Sequence, residues 1–229
     1  MSSESAFRDG KETTTTLIPE NPDFQLIETM RWEPETGILR GKRHLDRLEN
    51  SAHILGFQFN MDAIKQKLSQ ALHGTNPLRV RLALAPDGTI DLNKSEFIPT
   101  PQGSIWNIAI ATIPLSSKDP LLRYKTTRRQ TYLAARDEFS STEIDEVILL
   151  NEKGQVCEGT ISSIFIDLGG DILITPPLDC GLLDGVLRRE LLDEGTVREG
   201  SFTLQELKEA HKIYVGNSLR GLIPAKLIC

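Results

Sequence analysis

The chain is poor in the residues that mark several functional classes. Its 229 residues include only three cysteines, Cys157, Cys180 and Cys229. They are odd in number, far apart and outside any C-x-x-C spacing, which argues against both a disulfide framework and a zinc site. Free thiols in a reducing compartment are the expectation, with no bound metal. Histidine is scarce as well. His44, His53, His73 and His211 show no ligand spacing, and each reads as a helix-surface residue. No apolar run approaches the roughly 20 residues that span a bilayer. The opening MSSESAFRDGKETTTT lacks the apolar stretch of a signal peptide, so a cytoplasmic location is expected. Basic residues occur only in short pairs such as Arg128-Arg129 and Arg188-Arg189, and the net charge is −6. That balance speaks against a nucleic-acid partner. The G-x-S-x-G, H-E-x-x-H, P-loop and G-x-G-x-x-G motifs are all missing.

What is present is a patterned chain. Residues 1–20 are polar and rich in Ser, Thr and Glu, and read as a flexible arm. Strand signals cover 24–32 and 38–40, with turn residues between them. Leu45, Leu48, Ala52 and Leu55 recur at spacings of three and four, which predicts a helix over 44–57. Asn60 is placed to cap a second helix over 61–73. Residues 78–84 alternate as a strand. An apolar strand follows at 106–113, then a stretch with two prolines at 114–124, read as the junction between a small domain (21–115) and a larger one (116–229). Residues 128–139 suit a helix. Short strands are expected at 147–150, 155–158, 163–166 and 172–174, joined by the turns Asn151-Glu152-Lys153-Gly154 and Gly169-Gly170-Asp171. Helices are expected at 186–194 and 204–210, the second capped by Thr203, and a last strand at 213–215. Helices and strands interleave without the regular alternation of a doubly wound sheet, so the fold class is α+β.

One block stands out: Arg123-Tyr124-Lys125-Thr126-Thr127-Arg128-Arg129-Gln130-Thr131-Tyr132. Alone, Lys125 reads as a solvated lysine. Its company changes that. Asp145-Glu146-Val147-Ile148-Leu149-Leu150-Asn151-Glu152 follows, then Val156-Cys157-Glu158-Gly159-Thr160. Next come Gly181-Leu182-Leu183-Asp184-Gly185-Val186-Leu187-Arg188 and the tail Gly216-Asn217-Ser218-Leu219-Arg220-Gly221. Near the start lie Ile27-Glu28-Thr29-Met30-Arg31 and His44-Leu45-Asp46-Arg47-Leu48-Glu49-Asn50-Ser51-Ala52. Together, and in this order, the blocks resemble the class IV aminotransferases and aminodeoxychorismate lyases, enzymes dependent on pyridoxal 5'-phosphate (PLP). The resemblance runs from about Phe24 to Lys226.

The resemblance implies the two-domain PLP fold type IV, like that of D-amino-acid aminotransferase, with the cofactor in the larger domain and a homodimeric assembly. It implies that Lys125 holds PLP as a Schiff base and moves the substrate α-proton. Glu158 would face the pyridine nitrogen, where a carboxylate favours the protonated form. Arg47 would bind the phosphate, together with the helix opening at Val186 and Leu187, where backbone amides suit an anion, and with Asn217 and Ser218. The family often has Thr at the place of Leu187 and Asn at the place of Arg128, and it usually begins with an extra strand that is replaced here by a polar arm.

Arg79 and Arg81, two apart on one strand, share a face. They could clamp a substrate carboxylate or line a solvated outer face. The tail and the Lys125-Thr126-Thr127 piece look closest to aminodeoxychorismate lyases. The leading expectation is therefore release of pyruvate from 4-amino-4-deoxychorismate, leaving 4-aminobenzoate, a folate precursor. Transamination of a branched-chain or D-amino acid is the alternative, and a non-catalytic protein on the same fold ranks last.

Overall fold

The computed structural model describes residues 23–170 and 172–228. The arm expected at 1–20, Cys229 and one corner of the turn at 169–171 lie outside the described residues.

Two sheets organise the chain. The first has the order β2-β1-β3-β4, built from β1 (Leu26–Glu33), β2 (Gly37–Ile38), β3 (Leu78–Leu84) and β4 (Ile90–Glu96). Two helices, α1 (Gly41–Leu55) and α2 (Met61–Ala71), come between β2 and β3. Strand alternation puts Leu26, Met30, Val80, Leu82 and Leu84 into one core with Leu48, Ala52 and Leu55 of α1 and Ile64 and Leu68 of α2. Burying each such side chain stabilises the fold by about 1.5–3 kcal/mol. The same alternation aims Glu28 of β1 at α1, a polar group set among core neighbours. Asn60 caps α2 by accepting from the Ala63 amide, and Gly56 closes α1 at φ 73°, a conformation that suits glycine.

The second sheet has eight strands. They are β5 (Trp106–Ile110), β6 (Glu146–Leu150), β7 (Val156–Gly159), β8 (Ser163–Asp167), β9 (Leu173–Thr175), β10 (Val197–Glu199), β11 (Lys212–Asn217) and β12 (Gly221–Leu227), in the order β10-β9-β8-β11-β12-β5-β6-β7. Three helices accompany it: α3 (Gln130–Asp137), α4 (Val186–Asp193) and α5 (Leu204–Glu209). Thr203 caps α5 in a reciprocal box with Glu206. Both faces of the central strands are buried. Ala109, Val147 and Leu149 meet Tyr132 and Ala135 of α3. Ile108 and Ile148 point the other way, toward Ile164, Val215 and Leu207.

Several expectations need correction. The change of sheet falls between Glu96 and Trp106, not at 115/116, because β5 pairs with β6 and β12 in the large sheet. The Pro-bearing stretch 114–124 runs from one sheet to the other. The Leu115 amide bonds to the Leu150 carbonyl at 2.8 Å, and Leu121 and Tyr124 pack on the core of the first sheet. Strand 38–40 shrinks to Gly37–Ile38, since Arg40 takes a left-handed φ of 57° as the first cap of α1. Three strands carried no usable signal. β4 (IDLNKSE) is a polar strand at the sheet edge, β10 has three residues, and β12 contains Pro224. The β12–β5 ladder starts at Ala225, so the missing Pro224 N–H breaks no bond on that side. Among the described residues no helix is long and apolar enough to cross a membrane, and no cluster of His, Cys, Asp and Glu could hold a metal.

Candidate active site

A cavity of about 520 Å³ opens between the two sheets, within the size range of small-molecule sites. It is lined by Lys125, Glu158, Arg47, Val186, Leu187, Asn217, Ser218 and Arg79 among others. The fold therefore gathers eight of the nine expected site residues on one surface, from segments spread over 171 positions. Arg81 does not line it.

Lys125 is held by its own backbone. Its carbonyl accepts from the Ile27 amide at 2.8 Å, and the Thr127 amide donates to the Gln25 carbonyl at 2.9 Å. Residues 125–127 are thus laid like a short strand along the entry to β1. Burial pushes the amine down to about 8, and the charges of Arg47 and Arg129 add to this against Glu28 and Glu158. A neutral amine, the nucleophilic form, is consequently within reach near neutral pH.

Glu158 is the penultimate residue of β7, 5% exposed. Tyr132 of α3 donates its O–H to Oε1 at 2.6 Å, and the Leu183 amide donates to the same oxygen at 3.2 Å. Oε2 has no partner among the described residues. Burial raises this carboxyl to about 7, although Tyr132, Leu183, Lys125 and Arg129 all pull the other way.

The other end of the cavity is made for an anion. The amides of Val186 and Leu187 open α4 with no side-chain cap. Arg47 projects from α1, its Nε and Nη2 on the two oxygens of Glu28 at 2.8 and 2.6 Å and its Nη1 on the Asp184 carbonyl at 3.0 Å. Burial alone would raise Glu28, but the Arg47 charge and the hydrogen bonds from His44 and Arg47 outweigh it and hold the carboxyl at about 2. A Cβ on Gly216 of β11 would meet the Gly221 carbonyl oxygen at 2.7 Å and Leu187 at 3.0 Å. The glycine lets the β11–β12 turn approach the start of α4. Within that turn, Asn217 uses Oδ1 on the Leu219 and Arg220 amides and Nδ2 on the Ile161 carbonyl. Its side chain builds the turn and keeps one Nδ2 hydrogen uncommitted.

An amine near pKa 8, a buried carboxylate with one bare oxygen, and an uncapped helix start beside an arginine form the donor set that PLP requires. Over residues 25–228 the chain matches the amino-transferase class IV family. It belongs to that family.

Class IV aminotransferases are PLP-dependent enzymes, and this member has their type IV fold. A Schizosaccharomyces pombe protein whose name assigns it, provisionally, to the aminodeoxychorismate lyases is 30% identical over 90% of both chains. A solved structure from Mesorhizobium loti, provisionally named an amino-acid aminotransferase, is 51% identical and superposes with a TM-score of 0.88, covering 90% of this chain and 100% of that one. A branched-chain aminotransferase from Thermobaculum terrenum, solved in its PLP form, shares the fold at 19% identity and a TM-score of 0.75, over 89% of this chain and 76% of its own.

Within this class IV site, two expectations change. Arg81 lies between Thr29 and Asn93 in the sheet register and is not among the residues that line the cavity, although Thr29 is. Strand parity fixes a shared face but not where along it a cavity opens. His44 is not a helix-surface residue: it is 1% exposed, with Nδ1 2.7 Å from Glu28 Oε2 and Nε2 2.7 Å from Ser218 Oγ. It begins the inward face of α1, one turn before Leu48.

Other site residues carried no sequence assignment. Glu146, fully buried, accepts from the amides of Val147, Thr160 and Ile161 and the hydroxyls of Thr160 and Ser162. It thereby fixes the loop after Glu158. Arg129 lies over the Tyr132 ring, 4.6 Å from its centroid. Arg220 lines the cavity and lies 5.9 Å from the Trp106 ring centroid. Neither Arg79 nor Arg220 has a carboxylate partner among the described residues.

Proposed function

We propose that this protein binds PLP through Lys125 and releases pyruvate from 4-amino-4-deoxychorismate. The observation that carries the cofactor reading is the placement of Lys125 and Glu158 in one cavity with an uncapped helix start at its other end. Lys125 would hold the aldehyde carbon, the Glu158 carboxylate would face the ring nitrogen, and Arg47 with the Val186 and Leu187 amides would hold the phosphate. When bound, PLP supplies an electron sink next to the carbon bearing the substrate amine.

The chain's own residues do the rest. Lys125 Nζ would take the proton from the substrate carbon that bears the amine. Arg47, itself fixed by Glu28, keeps the anionic end in place. In the lyase reading the ring carbon–oxygen bond to the enolpyruvyl group would then break, and the proton held on Lys125 Nζ would go to the departing enolpyruvate, which becomes pyruvate. Two observations support this reading: the S. pombe relative matches over 90% of both chains, and Arg79 and Arg220 both line the cavity with no acid partner among the described residues, which suits a substrate with two carboxylates. The second reading, amino-acid transamination, is favoured by the M. loti relative. There Lys125 Nζ would pass the proton on to the carbon that had been the aldehyde, so that the amine stays behind as the 2-oxo acid leaves. A homodimer is part of the proposal, and Ile161, half exposed on the cavity rim, is the kind of apolar group a partner covers. Light scattering tests the assembly. Pyruvate release from aminodeoxychorismate, run beside amino acids with 2-oxoglutarate, tests the reaction: amino-acid turnover without pyruvate would reverse the order.

A further inference from the structure

His44 and Ser218 share a contact whose direction is fixed by a third residue. Glu28 is held at about 2, so it is ionised and can only accept. The His44 nitrogen facing it, Nδ1 at 2.7 Å, must therefore carry hydrogen. In a neutral His44 the other nitrogen, Nε2, is then bare. It accepts from Ser218, 2.7 Å away, and the serine has only one proton to give. Ser218 Oγ turns nothing but lone pairs toward the rest of the cavity in that state. Yet the wall around it is built for an anion, with the Val186 and Leu187 amides and Arg47 alongside. A lone pair aimed at an oxyanion is repulsive, so the empty arrangement does not serve the ligand for which the wall is formed.

We propose that His44 is a positioning residue that makes filling the phosphate end of the cavity a proton-linked event. An oxyanion docking at Val186, Leu187 and Ser218 draws one proton from solvent onto His44 Nε2. Nε2 then donates to Ser218 Oγ, and the serine hydroxyl proton swings to the anion. No bond other than these hydrogen bonds changes, and the balance is one proton taken up per site. The charges around His44 suit the exchange. Glu28 faces it from β1, and Arg47 lies one turn along its own helix. Arg40, at the start of α1, reaches the Ser218 carbonyl at 3.3 Å and pairs with Glu190 of α4 at 2.5 Å. Asp184 is engaged with Arg188 and Arg189, and Lys125 lies across the cavity. Each arginine beside His44 is thus already matched by a carboxylate, and an arriving dianion adds charge of the sign that favours an imidazolium.

The inference rests on the PLP reading, and its test separates the two. Pyridoxamine 5'-phosphate has the phosphate but no aldehyde for Lys125; pyridoxamine lacks the phosphate. Titration calorimetry of the cofactor-free protein at pH 8, in buffers of different ionisation enthalpy, counts protons. Wild type should take up close to one proton more with pyridoxamine 5'-phosphate than with pyridoxamine, and His44→Gln should lose that difference. Exchange at Glu158 and the ring nitrogen is common to both ligands and cancels. In wild type, 15N spectra of the one buried histidine should show Nε2 going from bare to protonated on binding. Equal uptake in wild type and His44→Gln, or an Nε2 already protonated before ligand, would overturn the proposal while leaving the cofactor reading intact. The spectra decide even if the variant does not fold. Failure of pyridoxamine 5'-phosphate to bind, with no visible absorbance on adding PLP, would take down both.

Discussion

Tyr132 donates its phenolic O–H to one oxygen of Glu158 at 2.6 Å, and the other oxygen of that carboxylate has no partner among the described residues. Such an arrangement costs stability when the cavity is empty. Burial raises Glu158 from 4.5 to about 7, so the folded chain binds this proton more tightly than the unfolded chain does. Stability accordingly falls as pH rises from about 4.5 to about 7, and the cost persists above that. Glu158→Gln keeps an oxygen for Tyr132 and the Leu183 amide but carries no charge. Without cofactor, the variant should be more stable than wild type at pH 8, by about 3 kcal/mol, with the gap closing near pH 5. Urea unfolding at both pH values measures it. With cofactor, the same variant should lose most turnover, because the ring nitrogen loses its counter-charge. Equal stability at pH 8 would show that the buried charge is not penalised.

Lys125 gives a second pH signature. Its amine is lowered to about 8, chiefly by burial and then by Arg47 and Arg129, and only the neutral amine attacks an aldehyde. The rate of PLP uptake, followed by its visible absorbance, should climb through pH 8 instead of continuing to rise toward the ordinary lysine value near 10.5. Borohydride should then fix the label on the peptide containing Lys125. A rate that is flat from pH 7 to 9, or label on another lysine, would contradict the assignment.

Much of this site was legible in the sequence because covalent and charged chemistry tolerates few residue types. Lys125, Glu158 and Arg47 stand in ordered blocks, and all three line the cavity. What was not legible depends on which way a side chain faces. His44 looked like surface because helix periodicity was counted from Leu45, whereas the inward face begins one residue earlier. Arg79 and Arg81 looked equivalent because parity is all a strand pattern reveals. Arg220, after a turn, had no periodicity to place it. In the fold, β4 escaped because a polar edge strand need not alternate, and β12 because Pro224 counts against a strand unless the neighbouring ladder is known. Glu146 reads as an ordinary charged residue beside Asp145. Only the structure shows the five donors that fold around it.

Glu28 supports a prediction about the frame of the site. Its carboxylate is 1% exposed and holds both Arg47 and His44. Because its folded-state value is depressed to about 2, its contribution is fully present above about 4.5 and disappears as pH falls toward 2. Glu28→Gln leaves Arg47 without its counter-ion and should cost about 3 kcal/mol at pH 7. The difference from wild type should shrink on acidification below pH 4. PLP affinity should fall as well, since Arg47 is then free to leave the cavity wall. A variant as stable as wild type at pH 7 would mean that Arg47 finds another partner.

The two acid-free arginines distinguish the readings of the reaction. Arg79 comes from β3, Arg220 from the β11–β12 turn, and both line the cavity. Burial and the Arg79 charge lower the Arg220 guanidinium, a like-charge tension that a bound carboxylate would relieve. Aminodeoxychorismate has two carboxylates to offer, and a monocarboxylic amino acid has one. Arg→Lys keeps the charge and removes the planar fork. Arg79→Lys and Arg220→Lys should each lower kcat/KM for pyruvate release at a cost of about 1–3 kcal/mol, roughly 5- to 150-fold. Arg81→Lys, at a residue that does not line the cavity, should have a smaller effect than either. For a neutral amino acid with 2-oxoglutarate, loss of one arginine should weigh mainly on the dicarboxylate partner. If all three variants match wild type on aminodeoxychorismate, the arginines face solvent and the two-carboxylate argument for the lyase fails. If only the 2-oxoglutarate half-reaction suffers, the same guanidinium groups serve a transaminase.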